Sequence, residues 1–185
     1  MIEMKNRIFG AFCLCVACCL IGCKPVEPVK PKVLDLTFTQ GSVICYGQYY
    51  EGLPQNVVAL DLYSKDITFD SLGHIVGTGT NLYVSDIFLP LGDTIPQNGT
   101  YQCDTTGAEN TFLPGMDFDG NPTGTYILDL EDSQLTRVIL CSDSSFLFTR
   151  AGDSINIEFN LIGNKQPYSA HFHGVLKYED RRQHL

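Results

Sequence analysis

Tryptophan is absent from the 185-residue chain, and basic residues are scarce, with 12 Lys and Arg against 21 Asp and Glu. Without tryptophan the chain cannot build the Cys–Trp–Cys core of an ordinary immunoglobulin domain. The formal net charge of −9 disfavours a nucleic-acid partner, because proteins that neutralise phosphates need clustered basic side chains. Only one long apolar run is present, so the sequence excludes a protein that crosses a membrane several times.

The signatures of common catalytic classes are missing as well. The chain contains no Gly-x-Ser-x-Gly elbow, no glycine-rich phosphate loop ahead of a helix, and no His-Glu-x-x-His. Carboxylates are numerous enough for a two-carboxylate glycosidase, but nothing in the sequence selects a pair. We therefore expect a protein that is not an enzyme and that has no catalytic residue and no dissociable cofactor.

What the chain does contain is enough apolar material for a folded core. Hydrophobic residues make up 44% of it, which excludes global disorder, and the length fits one domain with a tail. Eight cysteines suggest a disulfide scaffold or metal sites. Five of them, however, fall between Cys13 and Cys23, four inside the apolar run and one directly after it. The first four of these behave as small hydrophobes and do not predict a metal site.

The apolar run, residues 8–22, follows Lys5 and Arg7 and holds no charge. As a helix it would span about 22 Å, short of the ~30 Å hydrocarbon core of a bilayer, which is typical of a secretory signal peptide. The run leads into Leu-Ile-Gly-Cys at positions 20–23, which resembles the lipobox of bacterial lipoproteins. The resemblance implies a signal peptide over residues 1–22 and a covalent lipid on Cys23. Ordinary cleavage, or an uncleaved anchor helix, is the alternative.

Residues 23–32 predict a stalk between the lipid and the domain. After Cys23 this segment holds three prolines, three lysines and one glutamate. Proline blocks a helix and favours an extended chain, so the stalk would hold the domain clear of the membrane. The remaining residues, 33–185, include 7 basic and 19 acidic side chains and therefore carry −12.

Residues 33–185 show a hydrophobic period of two. The clearest case is 155–161, where Ile, Ile, Phe and Leu alternate with Asn, Glu and Asn. No stretch over ten residues carries a helical stripe with caps. We predict a single all-β domain, an antiparallel β-sandwich with a β-barrel as the alternative. The predicted strands are 33–39, 42–50, 58–62, 82–87, 124–130, 135–141, 145–150, 155–161 and 168–178.

Three short motifs carry a family resemblance. They are Pro-Gln-Asn-Gly-Thr-Tyr at 96–101, Gly-Thr-Tyr at 124–126 and His-Gly-Val-Leu-Lys-Tyr at 173–178. With the lipobox and the stalk, these motifs resemble the small β-sandwich lipoproteins of Bacteroidota over most of residues 33–185. The resemblance implies a cell-envelope location with lipid attachment to the outer membrane, and it implies no reaction. Surface-exported lipoproteins of this group carry acidic residues after the cysteine; Glu27 alone leaves periplasmic and surface-facing orientations both open.

A second resemblance concerns O-glycosylation. Bacteroidota modify secreted proteins at Asp-Ser or Asp-Thr followed by an apolar residue or Thr, and four places in this chain are similar to that pattern. Asp-Ser and Asp-Thr are also common turn pairs, which is the alternative interpretation. The candidate acceptors are Ser71, Thr94, Thr105 and Ser154.

Two groups of side chains have the spacing of weak metal ligands. Asp117, Asp119 and Asn121 place oxygens two residues apart beside a glycine, as calcium loops do, but the bidentate Glu of an EF-hand is not at its position. An acidic turn between strands is the favoured interpretation, and we expect no calcium. His171 and His173 share one face of a predicted strand and would need a third ligand for zinc or copper. Two solvent-facing histidines are the simpler interpretation, with Phe172, Leu176 and Tyr178 pointing inward.

Aromatic residues give the strongest sign of a ligand face. Tyr46, Tyr49 and Tyr50 lie close together, with Tyr63 further along, and tyrosine rings stack on sugars or on partner proteins. Tyrosine is also an ordinary strand residue that pairs across a sheet, which is the favoured interpretation. The first three are the candidates for a ligand face.

The expected function is that of a non-catalytic, lipid-anchored envelope lipoprotein that binds a protein or glycan partner. A structural or assembly accessory is the alternative, and an enzyme of unknown type is the third. A glycan binder should have exposed aromatic residues on one concave face with acidic or amide neighbours, whereas an accessory should have an apolar patch or an open edge strand. The cysteines left in the domain, Cys45, Cys103 and Cys141, allow at most one intramolecular disulfide, and the sequence leaves its existence open.

Overall fold

The structure is a computed structural model that describes residues 31–182. The predicted signal peptide, Cys23 and the stalk up to residue 30 lie outside the described residues, as does the C-terminal segment 183–185. The described part contains strands and no helix, which confirms the all-β prediction. The strands are β1 (Leu34–Phe38), β2 (Gln40–Gly47), β3 (Asn56–Tyr63), β4 (Ile67–Phe69), β5 (Ile75–Gly77), β6 (Gly79–Leu89), β7 (Gly99–Cys103), β8 (Thr111–Phe112), β9 (Met116–Phe118), β10 (Asn121–Thr123), β11 (Thr125–Glu131), β12 (Gln134–Ala151), β13 (Ser154–Gly163), β14 (Gln166–Gly174) and β15 (Lys177–Asp180).

One eleven-stranded sheet makes up most of the domain. Its strands follow the order β1-β14-β13-β12-β7-β8-β6-β3-β2-β15, and β11 bridges β12 and β6. Strands β6, β8, β7, β12 and β11 are therefore hydrogen-bonded in a closed ring, a barrel feature. Strands β13 and β14 on one side of the ring and β3 and β2 on the other contribute side chains to one common core, which is a sandwich feature. Most pairings are antiparallel, as predicted, whereas β1 with β14, β15 with β2, and β7 with β8 are parallel.

A single large core lies inside this sheet, and strand alternation fills it. Strand β13 buries Ile155, Ile157, Phe159 and Leu161, which confirms the predicted inward face. Tyr101 stacks on Phe146 with ring centroids 4.7 Å apart, and its hydroxyl both accepts from Gln97 N and donates to Gln97 O. The Pro-Gln-Asn-Gly-Thr-Tyr motif is therefore a folding element that fixes the entry into β7. Among residues 31–182, no helix is long and apolar enough to cross a membrane.

Strand β12 is one long strand, although the sequence predicts two strands with a turn at residues 143–145. The chain does not reverse there; it forms a bulge, because Ser142 and Ser145 pair with Ile162 and Asn160. Ser144 is buried and its hydroxyl donates to the Ser142 carbonyl at 2.8 Å, so this polar side chain is satisfied inside the strand. The turn prediction is wrong because a bulge uses the same residue types.

The predicted strand over 168–178 is also interrupted. Strand β14 ends at Gly174, and the chain crosses to form β15 beside β2. Phe172 and Leu176 are buried as predicted, but Tyr178 is 40% exposed. The inward prediction for Tyr178 is wrong because the crossover restarts the alternation.

Candidate functional site

The outer face of the sheet carries three tyrosines within four consecutive strands, β11, β6, β3 and β2. Tyr46 in β2, Tyr83 in β6 and Tyr126 in β11 each occupy the position that alternates with a buried core residue. Tyr83 and Tyr126 are cross-strand partners, and their rings stack with centroids 5.3 Å apart. The Tyr46 and Tyr83 hydroxyls lie 3.3 Å from each other, so the three rings form one continuous aromatic surface.

The loop after β2 adds Tyr49 and Tyr50 to this surface. Gly47 has φ 69, which glycine adopts without strain, and the turn brings Tyr49 N to the Gly47 carbonyl at 2.9 Å. Tyr49 packs against Tyr46 at 5.8 Å and edge-on against Tyr50 at 5.2 Å. Tyr50 rests on Phe88 at 5.9 Å. Tyr49 remains 58% exposed, so one aromatic ring of the cluster stands open to solvent.

A bulge in β6 brings a carboxylate to the same place. Val58 pairs with Ile87 and Leu60 pairs with Val84, so β6 has one more residue than β3 at this point. Asp86 takes φ 52, which Asp tolerates better than most residues, and its carboxylate accepts a hydrogen bond of 2.7 Å from the Tyr50 hydroxyl. Asp86 therefore lies beside the tyrosines on the outer face of the sheet.

The β9–β10 hairpin forms the opposite wall. Met116 is 48% exposed and Phe118 is 69% exposed, and both face the tyrosines across the cleft. The hairpin turns at Asp119 and Gly120, which both have positive φ, and it leaves the sheet between Gly115 and Gly124. An added Cβ at Gly124 would overlap the Pro114 carbonyl oxygen, so the neck of the hairpin requires glycine. This neck fixes where the wall stands.

These elements enclose a cleft of about 450 Å³, which we name the tyrosine cleft. Its size lies within the ~300–1,000 Å³ that is usual for small-molecule sites. The cleft is lined by five tyrosines, two further large apolar side chains of the hairpin and one carboxylate. The residues are Tyr46, Tyr49, Tyr50, Tyr83, Tyr126, Met116, Phe118 and Asp86, with Leu113, Ser85, Pro122, Thr123 and Gly124 completing the lining.

Burial sets the charge state of the cleft. Desolvation, with a smaller part from the hydrogen bond to Tyr46, raises the pKa of Tyr83 well above its ordinary value. Desolvation and then the hydrogen bond to Asp86 raise the pKa of Tyr50. The phenols of Tyr50 and Tyr83 are therefore neutral donors and acceptors at physiological pH. Desolvation also raises the pKa of Asp86, and the Tyr50 hydrogen bond opposes that rise.

A buried polar network adjoins the aromatic surface. Asp61 in β3 is the cross-strand partner of Tyr83, and its carboxylate accepts hydrogen bonds from the Tyr63 hydroxyl and from Asn81 Nδ2, the latter at 2.7 Å. Desolvation is the main cause that raises the pKa of Asp61. Tyr63 is buried against Phe69 of β4 and does not line the tyrosine cleft. It therefore belongs to the packing of the β4–β5 hairpin.

The structure brings the three predicted ligand-face residues, Tyr46, Tyr49 and Tyr50, into one cleft. Sequence reasoning missed Tyr83, Tyr126, Asp86 and the hairpin wall. Tyr83 and Tyr126 alternate with buried residues along their strands, and this period of two could have predicted that both face outward. Asp86 gave a weaker one, because an aspartate in mid-strand is a typical bulge residue.

The two predicted groups of weak metal ligands take other parts in the structure. Asp117 Oδ1 accepts from Gly120 N at 2.8 Å, so the Asp-Gly sequence is a hairpin turn, as the favoured interpretation held. His171 Nε2 lies 3.0 Å from Thr37 Oγ1 on β1, and His173 is exposed on β14. Among residues 31–182, no three His, Cys, Asp or Glu side chains are grouped as metal ligands. Asn121 Nδ2 bonds the Asp119 carbonyl.

The candidate glycosylation residues differ in exposure. Ser71 and Thr105 are exposed, whereas Thr94 and Ser154 are half-buried. Asp70 and Asp104 precede the exposed pair. Hydrogen bonds from the backbone N–H of His74, and then of Leu72, lower the pKa of Asp70, and a hydrogen bond from Thr106 N lowers the pKa of Asp104. The motifs thus also serve as turns. The cysteines Cys45, Cys103 and Cys141 are free thiols in the structure.

Comparison of the chain with protein-family models, with curated proteins and with solved structures finds no match. The interpretation of the tyrosine cleft therefore depends on its own geometry and chemistry.

Proposed function

We propose that this protein is a non-catalytic envelope lipoprotein that binds a glycan in the tyrosine cleft. The observation that carries the proposal is the concave cluster of five tyrosines with one carboxylate among them. Aromatic rings offer flat apolar faces for the C–H side of a sugar ring, and their hydroxyls bond to sugar hydroxyls. Asp86 supplies a strong acceptor at the margin of that face.

The charge of the domain favours a neutral glycan over a polyanion. Residues 33–185 carry −12, and the charged group in the lining of the tyrosine cleft is the carboxylate of Asp86. A sulfated or uronic acid polymer would meet repulsion there. The lining also supports a binding role over glycoside hydrolysis, because that chemistry needs two carboxylates about 5–9.5 Å apart.

Attachment to the outer membrane through a lipid on Cys23 completes the proposal. The lipobox at 20–23 and the proline-rich stalk support it. Replacing Cys23 by Ser should abolish lipid labelling and membrane retention. Protease treatment of intact cells would decide the orientation, since digestion of the domain indicates a surface protein and full protection a periplasmic one.

A structural or assembly accessory of the envelope is the second candidate. The observation that favours it is that β1 and β15 end the order of the sheet, so each has one strand neighbour in the described sheet. Such edges can accept a strand from another protein. If variants that remove the tyrosines of the tyrosine cleft still support normal assembly of the cell envelope, this candidate is favoured.

A glycan array tests the proposal with the full-length chain in detergent. We expect binding to one or more neutral glycans, and we expect Tyr49→Ala to weaken it about tenfold through the loss of one stacking face. Tyr178→Ala is the matched control, because Tyr178 is also exposed but lies outside the cleft. Full binding by the Tyr49 variant, or equal losses in both variants, would overturn the proposal.

A further inference from the structure

A second cleft lies on the other side of Tyr46 and Tyr49, which line both clefts. It measures about 580 Å³, compared with about 450 Å³ for the tyrosine cleft. We name it the polar cleft, since Gln48, Glu51 and Arg182 form its exposed walls. Its lining therefore offers amide, carboxylate and guanidinium groups where the tyrosine cleft offers aromatic faces.

The wall formed by Arg182 is held in place. Arg182 Nε donates to both carboxylate oxygens of Asp180, at 2.9 and 3.1 Å. The aliphatic part of the same side chain lies over Gly47, where an added Cβ would come within 2.9 Å of Arg182 Cγ. The side chain is thus held over Gly47 at the edge of the polar cleft, and the guanidinium charge is offset by the Asp180 carboxylate.

Tyr49 separates the two clefts without closing either. Its ring meets Tyr46 at an interplanar angle of 58° and Tyr50 at 89°, so it stands across the aromatic surface. With 58% of its surface exposed, it leaves room for a ligand to pass over it. The two clefts are adjacent, because Tyr46 and Tyr49 line both of them.

We propose that the two clefts are adjacent subsites for one oligosaccharide chain, which crosses Tyr49. This inference rests on the proposed glycan-binding function. Each cleft alone has the volume of a small-molecule site, so a ligand that fills both is longer than a mono- or disaccharide. The tyrosine cleft stacks sugar rings, and Gln48, Glu51 and Arg182 bond hydroxyls of the units beyond Tyr49.

The test is a length dependence measured on the full-length chain. The probes are α-1,4-linked glucose, β-1,4-linked glucose and β-1,4-linked N-acetylglucosamine, each from one to six units. We expect affinity to rise with length until both clefts are filled and then to level off. The double variant Gln48→Ala, Glu51→Ala should weaken the hexasaccharide about tenfold, through the loss of two polar contacts, and should leave the disaccharide unaffected.

Phe118→Ala is the matched control, because Phe118 lines the tyrosine cleft alone and should weaken short and long chains alike. Affinity that does not depend on length, or a double variant that weakens both lengths equally, overturns this inference and leaves the proposed function standing. Failure of all three series to bind overturns this inference, and failure of every neutral glycan on the array as well rejects the proposed function. Gln48, Glu51 and Phe118 are exposed, so these variants should keep the fold.

Discussion

Replacing Tyr50 by Phe removes one hydrogen bond from the tyrosine cleft and keeps the aromatic ring. The bond it removes joins the Tyr50 hydroxyl to Asp86 Oδ2 at 2.7 Å, within the range for a hydroxyl that donates to a carboxylate. Such bonds contribute ~1.5–3 kcal/mol. Asp86 is half-buried, so water compensates in part, and we expect the free energy of unfolding to fall by about 1.5 kcal/mol.

A double-mutant cycle separates the hydrogen bond from other effects. Asp86→Asn removes the charge, keeps an acceptor, and suits the positive φ at this position. Because burial already disfavours the charged form of Asp86, we expect Asp86→Asn to leave the free energy of unfolding almost unchanged at pH 7. Tyr50→Phe should then cost about 0.5 kcal/mol in the Asp86→Asn background, which gives a coupling near 1 kcal/mol.

Urea unfolding of the four proteins measures the coupling. The hydrogen bond lowers the pKa of Asp86 against the rise that burial causes, so the coupling should be largest above that pKa and should shrink as acid protonates the carboxyl. Equal costs of Tyr50→Phe in both backgrounds would refute the assignment of this bond. A coupling that grows in acid would refute the assigned charge state.

Two further predictions concern the core and the half-buried carboxylate of Asp61. Ile157 is fully buried in β13, so Ile157→Asp should lower the free energy of unfolding by on the order of 4 kcal/mol in chemical denaturation, whereas outward-facing Glu158→Ala should change it by less than ~0.5 kcal/mol; similar effects of both would mean that the strand faces are reversed. Asp61 has a raised pKa, so its protonation stabilises the folded chain as the pH falls, and that stability is lost as the pH rises through the folded pKa. The native chain should therefore gain stability relative to Asp61→Asn between pH 8 and pH 4, and parallel urea midpoints over this window would contradict the burial of the charge.

The sequence predicts the fold class correctly wherever one face of a strand is buried and the other is exposed to solvent. Strand β13 is the clearest case, because its alternation around Ile157 is uninterrupted. Strand β6 shows where the pattern fails: the residues Leu82, Val84 and Asp86 share a predicted face, but the bulge turns Ile87 inward instead. Period-two counting cannot detect an inserted residue whose pairing is decided by β3.

The candidate site was predictable only in its local part. Tyr46, Tyr49 and Tyr50 are close in sequence, so their proximity in space follows from chain connectivity. Tyr83 and Tyr126 meet because β6 and β11 pair, and that pairing is a property of the whole sheet. The concavity has the same origin, since the β9–β10 hairpin reaches the tyrosines from a distant part of the chain.

The parallel pairing of β1 with β14 has a consequence for the order in which the chain matures. Thr37 and His171, which are partners in this pair, are separated by 134 residues. A chain that emerges N-terminus first therefore makes β1 early and supplies its partner near the end. Until β14 has arrived, Phe38 has no strand to hold it over the core beside Phe172, and the growing chain presents an unfinished apolar edge. In a chain that folds while it is being made, this edge stays uncovered from the synthesis of residue 38 until the synthesis of residue 172.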